Sequence, residues 1–262
     1  MNKNITMYDQ FGQHYDRFVN WKERLSVELP FLSSELNKLN NDVRPISVLD
    51  AACGTGQHVI ALTGRGFNCA GADVSSEMIT IARDNAKPSG HEIIFKVAGF
   101  GELMEAFGEN AFDSLLCLGN SLPHIIDAEI MADTLADFHK VLRPNGMLII
   151  QNRNFDQVLA ERERWMSLQT HHDGENIQIF NRFYDFDPDG KITFNIQLIS
   201  GSQTEGLTDK VFSTRLWPMK KDQVVESLIS AGFNDFEFFG DLTGNTFELL
   251  KSGNLVVIAR AK

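Results

Sequence analysis

The sequence predicts an α/β protein with a Rossmann-like, doubly wound and mostly parallel sheet. Between residues 45 and 154, short apolar runs typical of strands alternate with stretches of helical periodicity. A turn containing Gly54 and Gly56 follows the first of these runs. After Phe155 the pattern changes to the alternation typical of antiparallel strands. Strands that are apolar on both faces need helices on both sides, which is the doubly wound arrangement.

Helical spacing begins near the N-terminus. Between residues 8 and 36 the apolar side chains recur at helical intervals and predict one or two amphipathic helices. These side chains are Phe18, Trp21, Leu25, Leu29 and Leu32. We assign residues 1–40 to an N-terminal helical lid lying near the site.

The predicted core alternates strands and helices from residue 41 to residue 154. Strand-like runs cover residues 46–50, 68–73, 92–98, 112–118 and 147–152. Helical periodicity covers residues 57–64, 75–86 and 130–142. Ser75 or Ser76 suits the N-cap of the second helix, and Pro144 and Gly146 are expected to stop the third.

An antiparallel insertion is predicted over residues 155–217. Residues 177–187 and 191–199 alternate like strands around the turn sequence DPDG, and residues 211–218 resemble a third strand. A helix at 220–231 and strands at 236–239 and 255–259 return the chain to the core, which therefore includes residues 218–262. The insertion is expected on the substrate side of the molecule.

Composition excludes several classes of function. The chain has 262 residues and a formal net charge of −11, so phosphate backbones and anionic lipid surfaces would repel it. The polar start lacks the apolar core that a signal peptide needs, and no apolar stretch approaches the roughly 20 residues of a membrane helix. Three cysteines in a chain of this length favour a reducing compartment over a disulfide framework. We expect a soluble cytoplasmic protein that binds neither nucleic acid nor membranes and uses no metal.

The stretch VLDAACGTGQHV, residues 48–59, carries the clearest chemical signal. Its glycines let the backbone turn sharply and let a ligand approach closely. Val59 stands where a dinucleotide fingerprint needs its third glycine, and no phosphate-loop lysine follows. Asp73 ends the second strand, where a carboxylate can accept hydrogen bonds from both hydroxyls of a ribose.

This arrangement resembles the class I S-adenosylmethionine-dependent methyltransferases. The matching residues are Asp50, Cys53, Gly54, Thr55, Gly56, Asp73 and Met78. The resemblance implies that Gly54 and Gly56 approach the methionyl part of the cofactor and that Asp73 holds the ribose. It also implies further cofactor contacts by Ala51, Val74, Met78, Gly99, Phe100 and Leu118. The structural alternative is a tight turn followed by a helix cap at Asp73.

Three further segments make the resemblance more specific: FDSLLCLGNSLPHIID (112–127), IIQNRNFD (149–156) and RLWP. These segments resemble glycine and sarcosine N-methyltransferases. By that resemblance Asn120 and His124 line the substrate pocket, and Arg153 binds the substrate carboxylate. Arg24 would lie near the methionyl carboxylate, and Tyr15 would be an aromatic residue of the lid.

The residues expected to bind the methyl acceptor also have purely structural interpretations. Arg153 could pair with Asp156 or another carboxylate, His124 could cap the turn after Pro123, and Asn120 could be a turn residue.

The insertion departs from the family pattern. Phe194 and Trp217 stand where that family has substrate-binding tyrosines. Tyr184 is the one tyrosine in the insertion. Aromatic faces there would suit a bulkier, more methylated or more apolar amine by cation–π attraction. The stretch VAGFGEL has no Asp where many class I enzymes contact the adenine amine, which leaves backbone contacts and a stacking face.

Three hypotheses of function follow. The first is methyl transfer from S-adenosylmethionine to the amine of a small amino acid, by direct displacement. The second is a methyltransferase for a different small metabolite with an O or N acceptor, and the third is a cofactor-binding protein without turnover. The sequence leaves the acceptor, the number of methyl groups added and a homo-oligomeric assembly open.

Overall fold

The computed structural model describes residues 19–39, 44–202, 204 and 206–262. Their helices are α1 (Trp21–Asn37), α2 (Gln57–Thr63), α3 (Ser76–Ala86), α4 (Leu103–Phe107), α5 (Ala128–Val141), α6 (Phe155–Glu161) and α7 (Lys221–Ser230). Their strands are β1 (Ser47–Asp50), β2 (Asn68–Asp73), β3 (Ile94–Val97), β4 (Phe112–Cys117), β5 (Leu142–Arg153), β6 (Gln169–Asp173), β7 (Asn176–Phe186), β8 (Ile192–Ser202), β9 (Gly206–Leu216), β10 (Phe233–Phe239) and β11 (Asn254–Ala261). Short 3₁₀ turns lie at Lys87–Ser89 and Leu122–His124.

A seven-stranded sheet carries the core, in the order β10-β11-β5-β4-β1-β2-β3. Strands β1 to β5 pair in parallel, and β11 runs antiparallel to both β5 and β10. The predicted Rossmann-like, mostly parallel sheet is confirmed. The strand order reverses between β1 and β4, and a crevice opens beyond the carboxyl ends of strands at such a point.

Helices cover both faces of this sheet, because successive residues of a strand point to opposite sides. On one face Ile150 of β5 packs in a cluster with Phe138 of α5. On the other face its neighbour Ile149 packs with Leu32 of α1 and Leu62 of α2. All five side chains are buried, which explains why the strands read as continuous apolar runs in the sequence.

A second, four-stranded antiparallel sheet has the order β6-β7-β8-β9. The predicted hairpin is confirmed, since β7 pairs with β8 around residues 187–190 and β9 pairs with β8 on its other side. Tyr184 lies opposite Phe194, and Phe194 lies opposite Thr214. Directly opposed residues share a face, so these three side chains form one row across three strands. We call Tyr184, Phe194 and Thr214 the insertion row.

Some elements differ from the predicted ones. Helix α5 begins at Ala128, before residue 130, because Asp127 caps it. Its Oδ1 accepts hydrogen bonds from the backbone N–H groups of Glu129 and Ile130, at 2.9 and 3.1 Å. Helix α6 and strand β6 were not predicted, because elements this short carry too little periodicity to detect.

Strand β5 is longer than predicted. It begins at Leu142, directly after α5, and includes both Pro144 and Gly146. Its pairing with β4 is irregular between Phe112 and Ser114. Such an irregularity is where a strand tolerates a proline, which cannot donate to the ladder.

The described part of the N-terminal segment is one helix. Leu29, Leu32 and Leu36 of α1 are buried, as the helical spacing predicted, and Phe18 lies outside the described residues. No helix in the described part of the chain is long and apolar enough to cross a membrane. The proposed division of the chain at residues 40, 154 and 217 stays a prediction.

An ion-pair network joins the amino ends of β1, β4 and β5. The carboxylate of Asp113 accepts hydrogen bonds from both Nη atoms of Arg44 at 2.6 Å, from the N–H of Ser47 at 2.8 Å and from Arg143 at 3.0 Å. Burial acts to raise the pKa of Asp113. The hydrogen bonds of Arg44 and Ser47 and the charge of Arg143 outweigh it and hold the pKa well below its usual range.

We predict that Asp113→Asn lowers the free energy of unfolding by about 1–3 kcal/mol at pH 7, because charged donors lose their acceptor. The folded-state pKa of Asp113 lies below its unfolded value of about 3.9, so the stabilisation is present above that pH and is lost as the pH falls. Urea unfolding of both proteins should show a difference that narrows below about pH 4. A difference that stays constant from pH 7 to the acid range would contradict this account.

Candidate active site

The turn after β1 is built on glycines. Gly54 and Gly56 both have left-handed backbone angles, with φ of +52° and +80°. A Cβ atom on Gly56 would lie 3.0 Å from the Cβ of Ala82 and 3.0 Å from the ring of Phe95. Gly56 is therefore required both by its conformation and by the close packing of α2 against α3 and β3.

Asp73 links this turn to the end of β2. One carboxylate oxygen accepts a hydrogen bond from the N–H of Gly54, and the other accepts one from the N–H of Ser75, each at 2.9 Å. The cap of α3 is Ser75, whose Oγ accepts from the N–H of Met78 at 3.2 Å. Asp73 thus does more than end a strand, because it fixes two loops at the same edge of the sheet.

A cavity of about 350 Å³ lies at this edge, beyond the carboxyl ends of the strands. From the first two loops it is lined by the predicted residues Ala51, Gly54, Asp73, Val74 and Met78. From the later loops it is lined by the predicted residues Gly99, Phe100 and His124.

Other lining residues were missed by the sequence analysis. Beside the glycine turn and the β3 loop they are Ala52, Ser75 and Glu102. Beyond β4 they are Ser121, Ile125, Ile126, Asp127 and Ile130. Gly119, which was expected to face the amine together with Asn120, also lines the cavity there. The apolar pair Ile125–Ile126 followed by the cap residue Asp127 is the signal that could have indicated this wall.

Asp50, Gly56 and Leu118 do not line the cavity but lie behind its wall. Asp50 is 3% exposed, and its Oδ1 accepts a hydrogen bond from the N–H of Ala52 at 3.3 Å. Burial raises the pKa of Asp50 to about 6, against the opposing charge of His58. Asp50 thus stabilises the turn after β1 through a buried hydrogen bond.

Arg24 lies on α1 and does not line the cavity. Its Nε donates to Glu28 at 3.0 Å, and Glu28 lies 2.7 Å from Nε2 of His58 on α2. Burial acts to raise the pKa of Glu28, but His58 and Arg24 together lower it. This cluster fastens the N-terminal helix to the helix that follows the glycine turn. Tyr15 lies outside the described residues.

The loop after β4 is tied to the end of β5. Gly119 and Asn120 both have left-handed backbone angles, with φ of +71° and +62°. The N–H of Gly119 donates to Oε1 of Gln151 at 2.8 Å, and the N–H of Asn120 donates to the carbonyl of Gln151 at 3.0 Å. The Oδ1 of Asn120 accepts from the backbone N–H of Arg153 at 2.8 Å. Asn120 does not line the cavity, and its side chain positions Arg153.

The insertion row connects Arg153 to the cavity. At one end, burial raises the pKa of the Tyr184 hydroxyl, and the charge and hydrogen bonding of Arg153 oppose that rise. At the other end Oγ1 of Thr214 lies 3.3 Å from Nδ1 of His124, which lines the cavity. Burial lowers the pKa of His124 to about 4, so its imidazole is neutral near pH 7. Trp217, three residues after Thr214, donates its backbone N–H to the carbonyl of Pro123 at 2.7 Å.

Asp156 accepts a hydrogen bond from the backbone N–H of Lys221 at 2.8 Å, and among the described residues no ion pair joins it to Arg153. The Nε of Arg153 is buried and has no hydrogen-bond partner among the residues that the structure describes. A half-buried guanidinium with an unpaired, buried Nε is a candidate anion site. Within the same residues, no group of three or more His, Cys, Asp or Glu side chains is placed to hold a metal ion.

The strand order, the glycine turn and the carboxylate after β2 together define a class I S-adenosylmethionine-dependent methyltransferase. Comparison with known protein families supports this class, since residues 48–146 match the family described as "Methyltransferase domain". A solved S-adenosylmethionine-dependent methyltransferase from Clostridium acetobutylicum superimposes with a TM-score of 0.75 at 18% identity. That match covers 97% of this chain and 98% of the other.

Two curated proteins of similar sequence identify the family more specifically. A glycine/sarcosine N-methyltransferase of Aphanothece halophytica is 32% identical over 88% of this chain and 81% of its own length. One of Halorhodospira halochloris is 29% identical over 89% of this chain and 81% of its own length. The chain belongs to the family of the glycine/sarcosine N-methyltransferases, and it is an S-adenosylmethionine-dependent methyltransferase.

The cavity fits the cofactor chemically. Its volume lies within the range of about 300–1,000 Å³ that small-molecule sites occupy. It combines one carboxylate at Asp73 with apolar walls from Met78, Phe100 and Ile125. A carboxylate at the edge of mostly apolar walls suits a ribose beside an apolar nucleoside base.

We predict that Asp73→Ala weakens binding of S-adenosylhomocysteine by about 10- to 100-fold, because a hydrogen bond to a charged group contributes about 1.5–3 kcal/mol. Titration calorimetry measures the dissociation constant directly. Asp84→Ala is the matched control, since Asp84 is an exposed aspartate on α3 that pairs with Lys87. Equal affinities of the wild type and Asp73→Ala would contradict the assigned role.

Proposed function

We propose that this methyltransferase acts on the amine of a small amino acid of the glycine or sarcosine class. The observation that carries the proposal is the guanidinium of Arg153, whose buried Nε has no hydrogen-bond partner among the described residues and which the insertion row links to His124 at the cavity. A planar, permanently charged fork matches a carboxylate. The relatives named glycine/sarcosine N-methyltransferase support the same acceptor class.

The cofactor side of the site is set by the first two loops. When bound, S-adenosylmethionine supplies a methyl group on a positively charged sulfur, which an amine lone pair can displace directly. Asp73 would hold the ribose hydroxyls, and Gly54 would let the methionyl part approach the backbone. Val74 and Met78 would flank the adenine, with Phe100 as a further apolar wall. The chain supplies no nucleophile in this scheme, and its contribution is alignment, which can lower a barrier by several kcal/mol.

The acceptor side of the site aligns a small zwitterion. Arg153 would hold the carboxylate through two parallel hydrogen bonds. Backbone carbonyls of Gly119 and Asn120 would accept hydrogen bonds from the N–H groups of the amine and so orient its lone pair, once the ammonium has lost a proton to solvent. His124 carries no charge near pH 7 and therefore does not repel a positively charged amine. We assign it an orienting role and not that of a strong general base.

The insertion row favours an N-methylated amine over glycine itself. Phe194 has no hydroxyl to bind an acceptor, and its ring lies 5.6 Å from that of Tyr184, centre to centre. Aromatic faces attract the ammonium charge that develops as the amine is methylated. Sarcosine is therefore the first acceptor that we would test.

Several assignments stay predictions. These are the roles of Arg24, Tyr15 and Leu118 towards the cofactor, the N-terminal lid, a cytoplasmic location, the lack of a nucleic-acid partner and a homo-oligomeric state.

The direct test is methylation of an amino-acid panel with labelled S-adenosylmethionine. Glycine, sarcosine and dimethylglycine would each be compared with the corresponding amide, which lacks the carboxylate. We expect label transfer to at least one free acid and little transfer to its amide. Transfer to amides as readily as to acids would favour a different metabolite, and no transfer to any member of the panel would overturn the proposal.

We predict that Arg153→Met lowers kcat/KM for the free acid strongly, because removing one partner of a buried charge pair costs about 2–5 kcal/mol. The same change should leave the dissociation constant of S-adenosylhomocysteine unchanged, since Arg153 does not line the cofactor cavity. Steady-state kinetics and calorimetry on one preparation measure both quantities. An unchanged kcat/KM in a variant that still binds S-adenosylhomocysteine would contradict the carboxylate assignment.

A further inference from the structure

The turn after β3 brings a glutamate to the wall of the cavity. Residues 99–102 form a tight turn, in which Gly101 has a left-handed backbone angle with φ of +88°. The N–H of Glu102 donates to the carbonyl of Gly99 at 3.2 Å, and the N–H of Gly99 donates to Oε2 of Glu102 at 2.7 Å. Both residues line the cavity. The carboxylate of Glu102 therefore lies against the start of its own turn, at the cavity wall.

Gly99 shows where this carboxylate lies relative to the cofactor loops. A Cβ atom on Gly99 would lie 3.5 Å from Oε2 of Glu102 and 3.3 Å from Cγ2 of Val74. Val74 directly follows Asp73, the residue assigned to the ribose, and the carbonyl of Asp73 accepts from the N–H of Ala98 at 3.0 Å. The carboxylate therefore lies close to the side chain of Val74, on the side of the ribose position where the base would lie.

The carboxylate of Glu102 is not needed to cap helix α4. The N–H groups of Leu103 and Met104 donate to the carboxylate of Asp137 on α5, at 2.8 and 2.9 Å. Within the described part of the chain, the Glu102 side chain does not cap α4, and its one hydrogen bond comes from Gly99. An acceptor oxygen on the cavity wall is therefore left for a donor on a ligand.

The wall around this carboxylate suits a purine. Val74, Met78 and Phe100 are apolar, and the ring of Phe100 packs edge-on against buried Phe138 with 5.5 Å between ring centres. The exocyclic amine of adenine carries two N–H donors, whereas its deaminated counterpart, hypoxanthine, has a carbonyl oxygen at that position. An ionised carboxylate accepts hydrogen bonds and donates none, so it attracts the amine and repels the carbonyl oxygen.

We propose that Glu102 is a specificity-determining residue for the base of the cofactor, and that its second carboxylate oxygen accepts a hydrogen bond from the exocyclic amine of adenine. This inference rests on the ribose position at Asp73 that the proposed function also uses, and it is independent of the methyl acceptor. The apolar walls would bind adenine and hypoxanthine alike, and Glu102 would distinguish them.

The test is the preference for S-adenosylhomocysteine over S-inosylhomocysteine, two compounds that differ in the base alone. Titration calorimetry would give both dissociation constants for the wild type, for Glu102→Gln and for the control Glu105→Gln. Glu105 is an exposed glutamate of α4 that does not line the cavity. We expect the wild type and the control to prefer the adenosyl compound by about tenfold or more. Glu102→Gln should reduce the preference to within about threefold, because an amide can also donate to the carbonyl oxygen.

A pair of variants tests the geometry itself. Glu102→Ala should lose the preference, and adding Gly99→Asp should restore part of it. The backbone angles of Gly99 are not left-handed, and without the Glu102 carboxylate the near neighbour of a new Cβ atom is the side chain of Val74. An aspartate at 99 would place its carboxylate in the space that Glu102 leaves. A double variant with no more preference than Glu102→Ala would contradict this geometry.

A preference in Glu102→Gln within about twofold of the wild type, with S-adenosylhomocysteine still bound, would overturn the inference. A purely structural role for Glu102 gives that result, because a disturbed turn weakens both compounds alike. If Glu102→Ala does not fold, Glu102→Gln decides, since its side-chain carbonyl can still accept from Gly99. A wild type without any preference would also overturn the inference.

Asp127 provides a further check, because its carboxylate also lines the cavity. Its Oδ1 already accepts two hydrogen bonds from α5, and an asparagine can replace it as a cap. Asp127→Asn should keep the preference, and loss of the preference there, with Glu102→Gln unaffected, would overturn the inference. A wild type that binds S-adenosylhomocysteine but methylates no amino acid would overturn the proposed acceptor alone. The two failures are therefore distinguishable.

Discussion

The carboxylate of Asp73 holds the turn after β1 and the turn after β2 together, and the site depends on that link. One oxygen binds the N–H of Gly54 and the other the N–H of Ser75, so the two loops share a single anchor. The anchor works only because Gly54 and Gly56 adopt left-handed backbone angles. It lies beside the reversal of strand order between β1 and β4, where an open sheet leaves a crevice.

A second set of hydrogen bonds couples the cofactor cavity to the proposed acceptor pocket. Gln151 of β5 binds the loop after β4 through its side chain and its carbonyl, and Asn120 of that loop binds the N–H of Arg153 in return. The contact between His124 and Thr214 then joins the insertion sheet to the same loop. The loops that line the cavity and those of the proposed acceptor pocket thereby belong to one connected framework, which would give the alignment that a displacement reaction needs.

The sequence predicted the features that depend on neighbouring residues. The glycine turn, the Ser75 cap and the alternation of strands and helices along the chain are local patterns, and each was confirmed. Features that depend on distant residues were not predicted. The role of Asn120 depends on a left-handed turn that aims its side chain at β5. The alignment of Tyr184, Phe194 and Thr214 depends on the register of three strands, which alternation alone does not fix.

A crystal structure with S-adenosylhomocysteine and sarcosine bound together tests the central claim most directly. The account predicts the ribose hydroxyls within hydrogen-bond distance of Asp73 and the sarcosine carboxylate on the guanidinium of Arg153. It also predicts the sarcosine amine on the side of His124, facing the sulfur. A nucleoside bound away from Asp73, or a carboxylate bound away from Arg153, would contradict it.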